Sequence, residues 1–206
     1  VTGRISGRDL GSTVQQIQTQ ILDKSGFLPS DISYSLGGLY QQQQIAFKAL
    51  SVVLVATILL VFVLLLFLYE SFKVAVALLS MPLLALAFVL IGLWVTGTEF
   101  NLTSRMGMMM IVGIVTEVAI FYFSEYQELH AEENRDERFI TSGVNRMRPI
   151  AMTTFAAILA LAPLAMGLGQ GSAMLQPLAI AIIAGLIVQL PLVLLVLPTF
   201  LKLLRV

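Results

Sequence analysis

Glu117 is the one charged residue between Met106 and Ser124, and that isolation sets its chemistry. It lies about twelve residues into an apolar run, so a helical rise of about 1.5 Å per residue places it near the middle of a bilayer core. A charged acid at that depth costs about 2.5 to 3.5 kcal/mol on translocon scales. Desolvation favours the neutral acid, so a carboxyl facing the interior of a helix bundle can bind and release a proton as its surroundings change. The plainer alternative is a permanently protonated side chain hydrogen-bonded to a neighbouring helix.

Several polar and small residues could support such an acid. Gly113 shares its helix face, one turn away, with Thr116 beside it. Thr153, Ala156, Ala157 and Ala160 form a second small-residue surface, and Ala181, Ala184 and Gly185 a third, as close helix packing in membranes requires. Thr153 and Thr154 could hydrogen-bond a protonated Glu117 or bond back to their own helix carbonyls. Gln189 is a second midspan polar group and reads as a link between helices. Arg146 and Arg148 precede Pro149, which suits the first turn of a span; Arg148 reads as a topological anchor.

Other chemistries have little support. Met106, Met108, Met109 and Met110 could ligate a soft metal, but flexible apolar packing explains them with less assumption. His130 sits in a charged stretch without metal-ligand spacing, so no metal site is assigned. Cysteine is absent, which removes thiolate catalysis and disulfides. No nucleophile and base pattern or phosphate loop is visible, so an enzyme is not expected and no cofactor is called for. The net charge of zero gives no reason to expect nucleic acid binding.

The elements that must position these residues are membrane spans. Hydrophobic residues make up 58% of the 206 and charged ones 12%, half of the roughly 25% usual in soluble domains. Five apolar runs, at about 46–69, 74–97, 104–125, 149–169 and 175–201, are each long enough to cross a bilayer. Residues 70–73 form a tight turn between the first two, and 126–148 form the long charged connection. Basic residues cluster on the side of that connection and the C-terminus: Lys73, Arg135, Arg138, Arg146, Arg148, Lys202 and Arg205. The positive-inside rule places this side in the cytoplasm. An odd number of spans then puts the N-terminus outside. Residues 1–44 read as a β-α-β piece: a strand at Val1 to Ser6, a helix capped by Ser12 or Thr13, and a strand at Asp31 to Leu36. The expected fold is therefore membrane all-α, a five-helix bundle (45–206) carrying the end of an α+β subdomain (1–44). The chain opens on Val1 and is expected to be part of a longer one.

The order and identity of several motifs resemble the resistance-nodulation-cell division (RND) efflux permeases. They include Gly7-Arg8-Asp9-Leu10-Gly11-Ser12, Tyr69-Glu70-Ser71-Phe72, Val112-Gly113-Ile114-Val115, and Gly169-Gln170-Gly171-Ser172. Most specific is Arg146-Met147-Arg148-Pro149-Ile150-Ala151-Met152-Thr153-Thr154. The resemblance implies the last five of twelve spans, preceded by the end of a periplasmic porter region. It implies a homotrimer in the bacterial inner membrane, working with a periplasmic adaptor and an outer-membrane channel. The bundle would couple proton influx to export of drugs or other toxic small molecules, drawing on the proton motive force and no cofactor. Thr153 and Arg146 fall on residues that the multidrug branch uses in its proton relay. That branch usually has lysine at the position of Glu117 and asparagine after it, where this chain has Val118. Glu117 would then carry the proton itself or pair with a base from the absent half. Two other readings stay open: a heavy-metal cation exporter of the same fold, and a nontransporting or lipid-handling membrane accessory protein. The segment by itself is expected to be inactive.

Overall fold

The computed structural model describes residues 39–129, 135–169 and 172–204, with positions 14, 16, 17 and 19. The chain divides into two compact units, Val1–Ser51 and Val52–Val206. In the first, Val14, Gln16 and Ile17 are helical. Both strands expected of the β-α-β piece lie outside the described residues, which contain no strand.

The helices are α1 (Leu39–Tyr69), α2 (Phe72–Val95), α3 (Leu102–Glu128), α4 (Arg135–Ala165), α5 (Ser172–Pro191) and α6 (Leu197–Leu203). A five-residue π-helical segment, Leu192–Val196, joins α5 to α6. Among the described residues, five apolar helical stretches are long enough to cross a bilayer, from Gln44–Tyr69 to Met174–Leu203. The protein is therefore a multi-pass membrane protein. Phe67 and Trp94 are more than four-fifths exposed, which only an apolar surround or further protein would tolerate.

The core lies where α2, α3 and α5 meet. On α2 the buried residues Val74, Leu78, Met81, Ala85 and Val89 recur every three or four positions, one stripe of a helix. On α3 Ile111, Val115, Ala119 and Tyr122 do the same. α5 packs against α2, α3 and α4, and small residues let it approach. A β-carbon added at Gly92 would lie 2.5 Å from that of Ala184, and one at Gly107 would lie 2.9 Å from that of Ala181. Such backbone proximity is the usual means of helix association in lipid.

The charged stretch 126–148, expected as a loop, is mostly helix. α3 runs on to Glu128 and α4 begins at Arg135, so the fourth helix starts fourteen residues before Pro149. Pro149 is thus in the helix interior, a correction to its expected place in a first turn. The extension holds because its inner face has partners: Phe139 is buried, and its carbonyl accepts from Tyr122 Oη at 2.8 Å. The ring of Phe139 stacks on Tyr126 at 4.4 Å, and the Arg138 guanidinium covers the same Tyr126 ring, also at 4.4 Å. Arg138 also donates to the Tyr126 carbonyl at 2.7 Å. At the other end of the bundle, α3 starts with Asn101, whose side chain accepts from the Ser104 amide at 3.0 Å.

Candidate functional site

Five of the seven candidate residues line one cleft of about 310 Å³ between α3, α4 and α5. Glu117 enters from α3, Arg146, Thr153 and Thr154 from α4, and Gln189 from α5. The other walls are apolar, formed by side chains such as Ile114, Phe121, Ile150 and Leu186. The heptad spacing of Arg146 and Thr153 puts both on one α4 face, two turns apart. Glu117 is exposed to this cleft and is not packed into the core.

The hydroxyls differ in their commitments. Thr153 Oγ1 donates back to its own helix, with the carbonyls of Pro149 and Ile150 at 3.2 and 3.0 Å. Thr154 is buried and its Oγ1 accepts from Gln189 Nε2 at 2.6 Å. The Gln189 side chain is itself 1% exposed, and its Oε1 has no partner. Because a hydroxyl can donate or accept, reversing the amide would only move the unmatched atom. Gln189 thus joins α4 to α5 and keeps one polar atom in reserve at the wall of the cleft.

Two supporting candidates lie apart from this cleft. Thr116 is buried on the core side, donating to the Val112 carbonyl at 2.6 Å. Gly113 has open space where a β-carbon would be. It belongs to a second stripe on α3, Met106, Met110, Gly113, Glu117 and Phe121, exposed throughout. The methionines spread around the helix, with Met108 buried in the core and Met106 and Met110 exposed. Among the described residues no three His, Asp or Glu side chains gather as a metal site would need.

The sequence reading missed what holds Arg146. Its Nη2 lies 2.8 Å from Glu125 Oε2, while Asn145 Nδ2 donates to Glu125 Oε1 at 2.9 Å. Arg146 Nε is buried without a partner. Glu125 lies eight residues after Glu117, about 2.2 helical turns further along α3 and roughly 80° around it, and a second acid near the same neighbouring helix was the available signal. It went unused because residues 126–148 were read as a loop, which gave Arg146 no fixed direction.

Residues 1–205 match the AcrB/AcrD/AcrF family. Over 204 residues the chain is 29% identical to the cobalt-zinc-cadmium resistance protein CzcA of Cupriavidus metallidurans, covering 98% of this chain and 19% of that protein. It is 32% identical over 174 residues to the swarming motility protein SwrC of Bacillus subtilis, covering 84% and 16%. With the multidrug resistance protein MdtC of Escherichia coli the identity is 31% over 166 residues, covering 80% and 16%. A crystal structure of a heavy metal efflux pump superposes with a TM-score of 0.82 at 30% identity, covering 98% of this chain and 20% of that one. The chain therefore spans about a fifth of the length of these relatives.

Proposed function

This chain belongs to the AcrB/AcrD/AcrF family of RND permeases, and we propose that it supplies the proton-coupling half-bundle of an export pump. The carrying observation is the shared cleft: a carboxyl, a guanidinium and a hydroxyl on helices of one membrane bundle, with apolar walls around them. In a medium of low dielectric, a change in the charge of Glu117 alters its attraction to Arg146 far more than it would in water. Protonation can then bias how α3 and α4 pack, which is the form of coupling that an exporter driven by proton influx needs.

For the longer protein the proposal includes a bacterial inner-membrane location, with the Glu125 end of the bundle cytoplasmic and the N-terminal segment periplasmic. It also includes a homotrimer working with an adaptor and an outer-membrane channel. Residues 1–44 would close a porter subdomain. Drugs or other toxic small molecules are the first substrate class. A second class, heavy-metal cations, is favoured by the 98% coverage against both CzcA and the heavy metal efflux pump.

Replacing Glu117 by Gln in the full-length pump tests the coupling. Substrate-driven proton flux in proteoliposomes is expected to fall to background while the protein stays folded; undiminished flux would remove Glu117 from the mechanism. Parallel assays with Zn²⁺ or Co²⁺ and with a cationic dye separate the two substrate classes.

A further inference from the structure

Arg146 of α4 is associated with two acids of α3 in different ways. Glu117 and Glu125 are separated by eight residues on α3, about 12 Å along its axis. Arg146 bonds the second and lines the cleft that holds the first. Among the residues lining that cleft, Arg146 and Glu117 are the only charged side chains. The guanidinium has five donors, and the buried Nε is unmatched in this arrangement. The same holds for Nε of Arg138, so what sets Arg146 apart is its place, bonded to one acid of α3 and lining the cleft of another.

We infer that Glu125 is a positioning residue that holds Arg146 at the cytoplasmic end of the cleft and releases it to Glu117 when Glu117 is ionised. The inference rests on the coupling role proposed above for Glu117. When Glu117 carries its proton, Arg146 has one anionic partner, Glu125, which Asn145 orients. When Glu117 gives its proton to water on the cytoplasmic side, the new carboxylate competes for the same guanidinium. Arg146 keeps its charge and all of its protons; only the ion pair changes hands. Glu125 can lose its partner because it is 18% exposed and keeps the Asn145 amide.

The surroundings suit such an exchange. Glu125 is faced by Arg146 and Asn145 of α4, and its neighbour Ser124 meets the Tyr69 hydroxyl of α1 at 3.4 Å. Glu117 shares the cleft with Arg146, Thr153 and Thr154 of α4 and Gln189 of α5. Arg138 of α4 is bound to Tyr126 and is not available as a substitute.

Dicyclohexylcarbodiimide, which modifies protonated membrane carboxyls, reads the state of Glu117 in the full-length pump without any substrate. Labelling at Glu117 would be followed against pH by peptide mapping. In E125Q and E125N, Arg146 is free to favour the Glu117 carboxylate, so the labelling midpoint is expected about one pH unit lower, a tenfold change in proton affinity. E125D, which keeps the charge, should retain the original midpoint. In an R146Q background E125Q should have no effect, because its action runs through the guanidinium. Thermal unfolding checks that the variants fold, and two neutral substitutions guard against one failing. An unmoved midpoint in the folded neutral variants would overturn the inference, as would a shift that persists in R146Q. Failure of the coupling role itself shows separately, as intact proton flux in E117Q.

Discussion

Gln189 and Thr154, 35 residues apart in the chain, meet through a 2.6 Å hydrogen bond that fastens α5 to α4 at the wall of the cleft. Both side chains are essentially removed from solvent. In hydrocarbon the alternative to this bond is an unsatisfied amide and hydroxyl, although measured interhelical bonds average only about 0.6 kcal/mol and reach about 1.7.

Gln189→Leu in the full-length pump is therefore expected to lower stability by about 1 kcal/mol, read as a lower unfolding midpoint in detergent. Thr154→Ala in the same background should add little, since the two changes remove one interaction. Full additivity of the two losses would show that the bond contributes nothing.

Gly92 and Ala184 leave no room between α2 and α5. Gly92→Leu should cost about 1 to 3 kcal/mol through overpacking. Combining Gly92→Ala with Ala184→Gly, which removes the β-carbon that the new one meets, should return the unfolding midpoint close to that of the parent. Failure of the pair to compensate would contradict this contact.

Gly113 presents the opposite case, because a β-carbon added there would meet no described side chain or neighbouring helix within 4 Å. Under the proposed function its face meets helices supplied by the rest of the protein. Gly113→Leu is then expected to lower the unfolding midpoint of the full-length pump, by an amount equivalent to about 1 to 3 kcal/mol. A midpoint equal to the parent's would mean that this stripe faces lipid.

Two cations near the charged end should behave unequally. Lys202 lies 2.8 Å from Asp136, but both side chains are more than three-fifths exposed, so Lys202→Ala should change stability by no more than about 0.5 kcal/mol. Arg138 bonds a carbonyl and covers an aromatic ring from a partly buried position. Arg138→Ala should cost about 2 kcal/mol. Chemical denaturation of the two variants side by side would test the ordering.

The membrane architecture was legible because its signal is composition: each of the five apolar runs falls largely within a long helix. Glu117 and Arg146 stood out as well, as charges whose depth or motif demanded an account. The charged extension of α4 was harder to see. Its helix depends on tertiary contacts of Phe139 and Arg138 with α3, and Pro149 looks from sequence like a boundary because proline interrupts a ladder wherever it falls. By sequence Thr153 and Thr154 are alike, each able to bond Glu117 or its own helix, whereas in the structure Thr154 accepts from Gln189. Which of two adjacent threonines faces inward depends on helix rotation, and local pattern does not fix that.

The π-helical segment after Pro191 changes the phase of everything that follows it. From Leu186 and Gln189, an unbroken period of 3.6 would turn residues near Val196 and Phe200 inward. Instead Leu197 and Leu201 are fully buried, and the amide of Leu197 reaches back five residues to the carbonyl of Leu192. Between Pro191 and Pro198 the helix thus carries one surplus residue, and that residue seats the final turns in the core. Deleting a single position from Leu192–Val196 would rotate the end of the chain by about 100° and set Leu197 and Leu201 facing away from their neighbours.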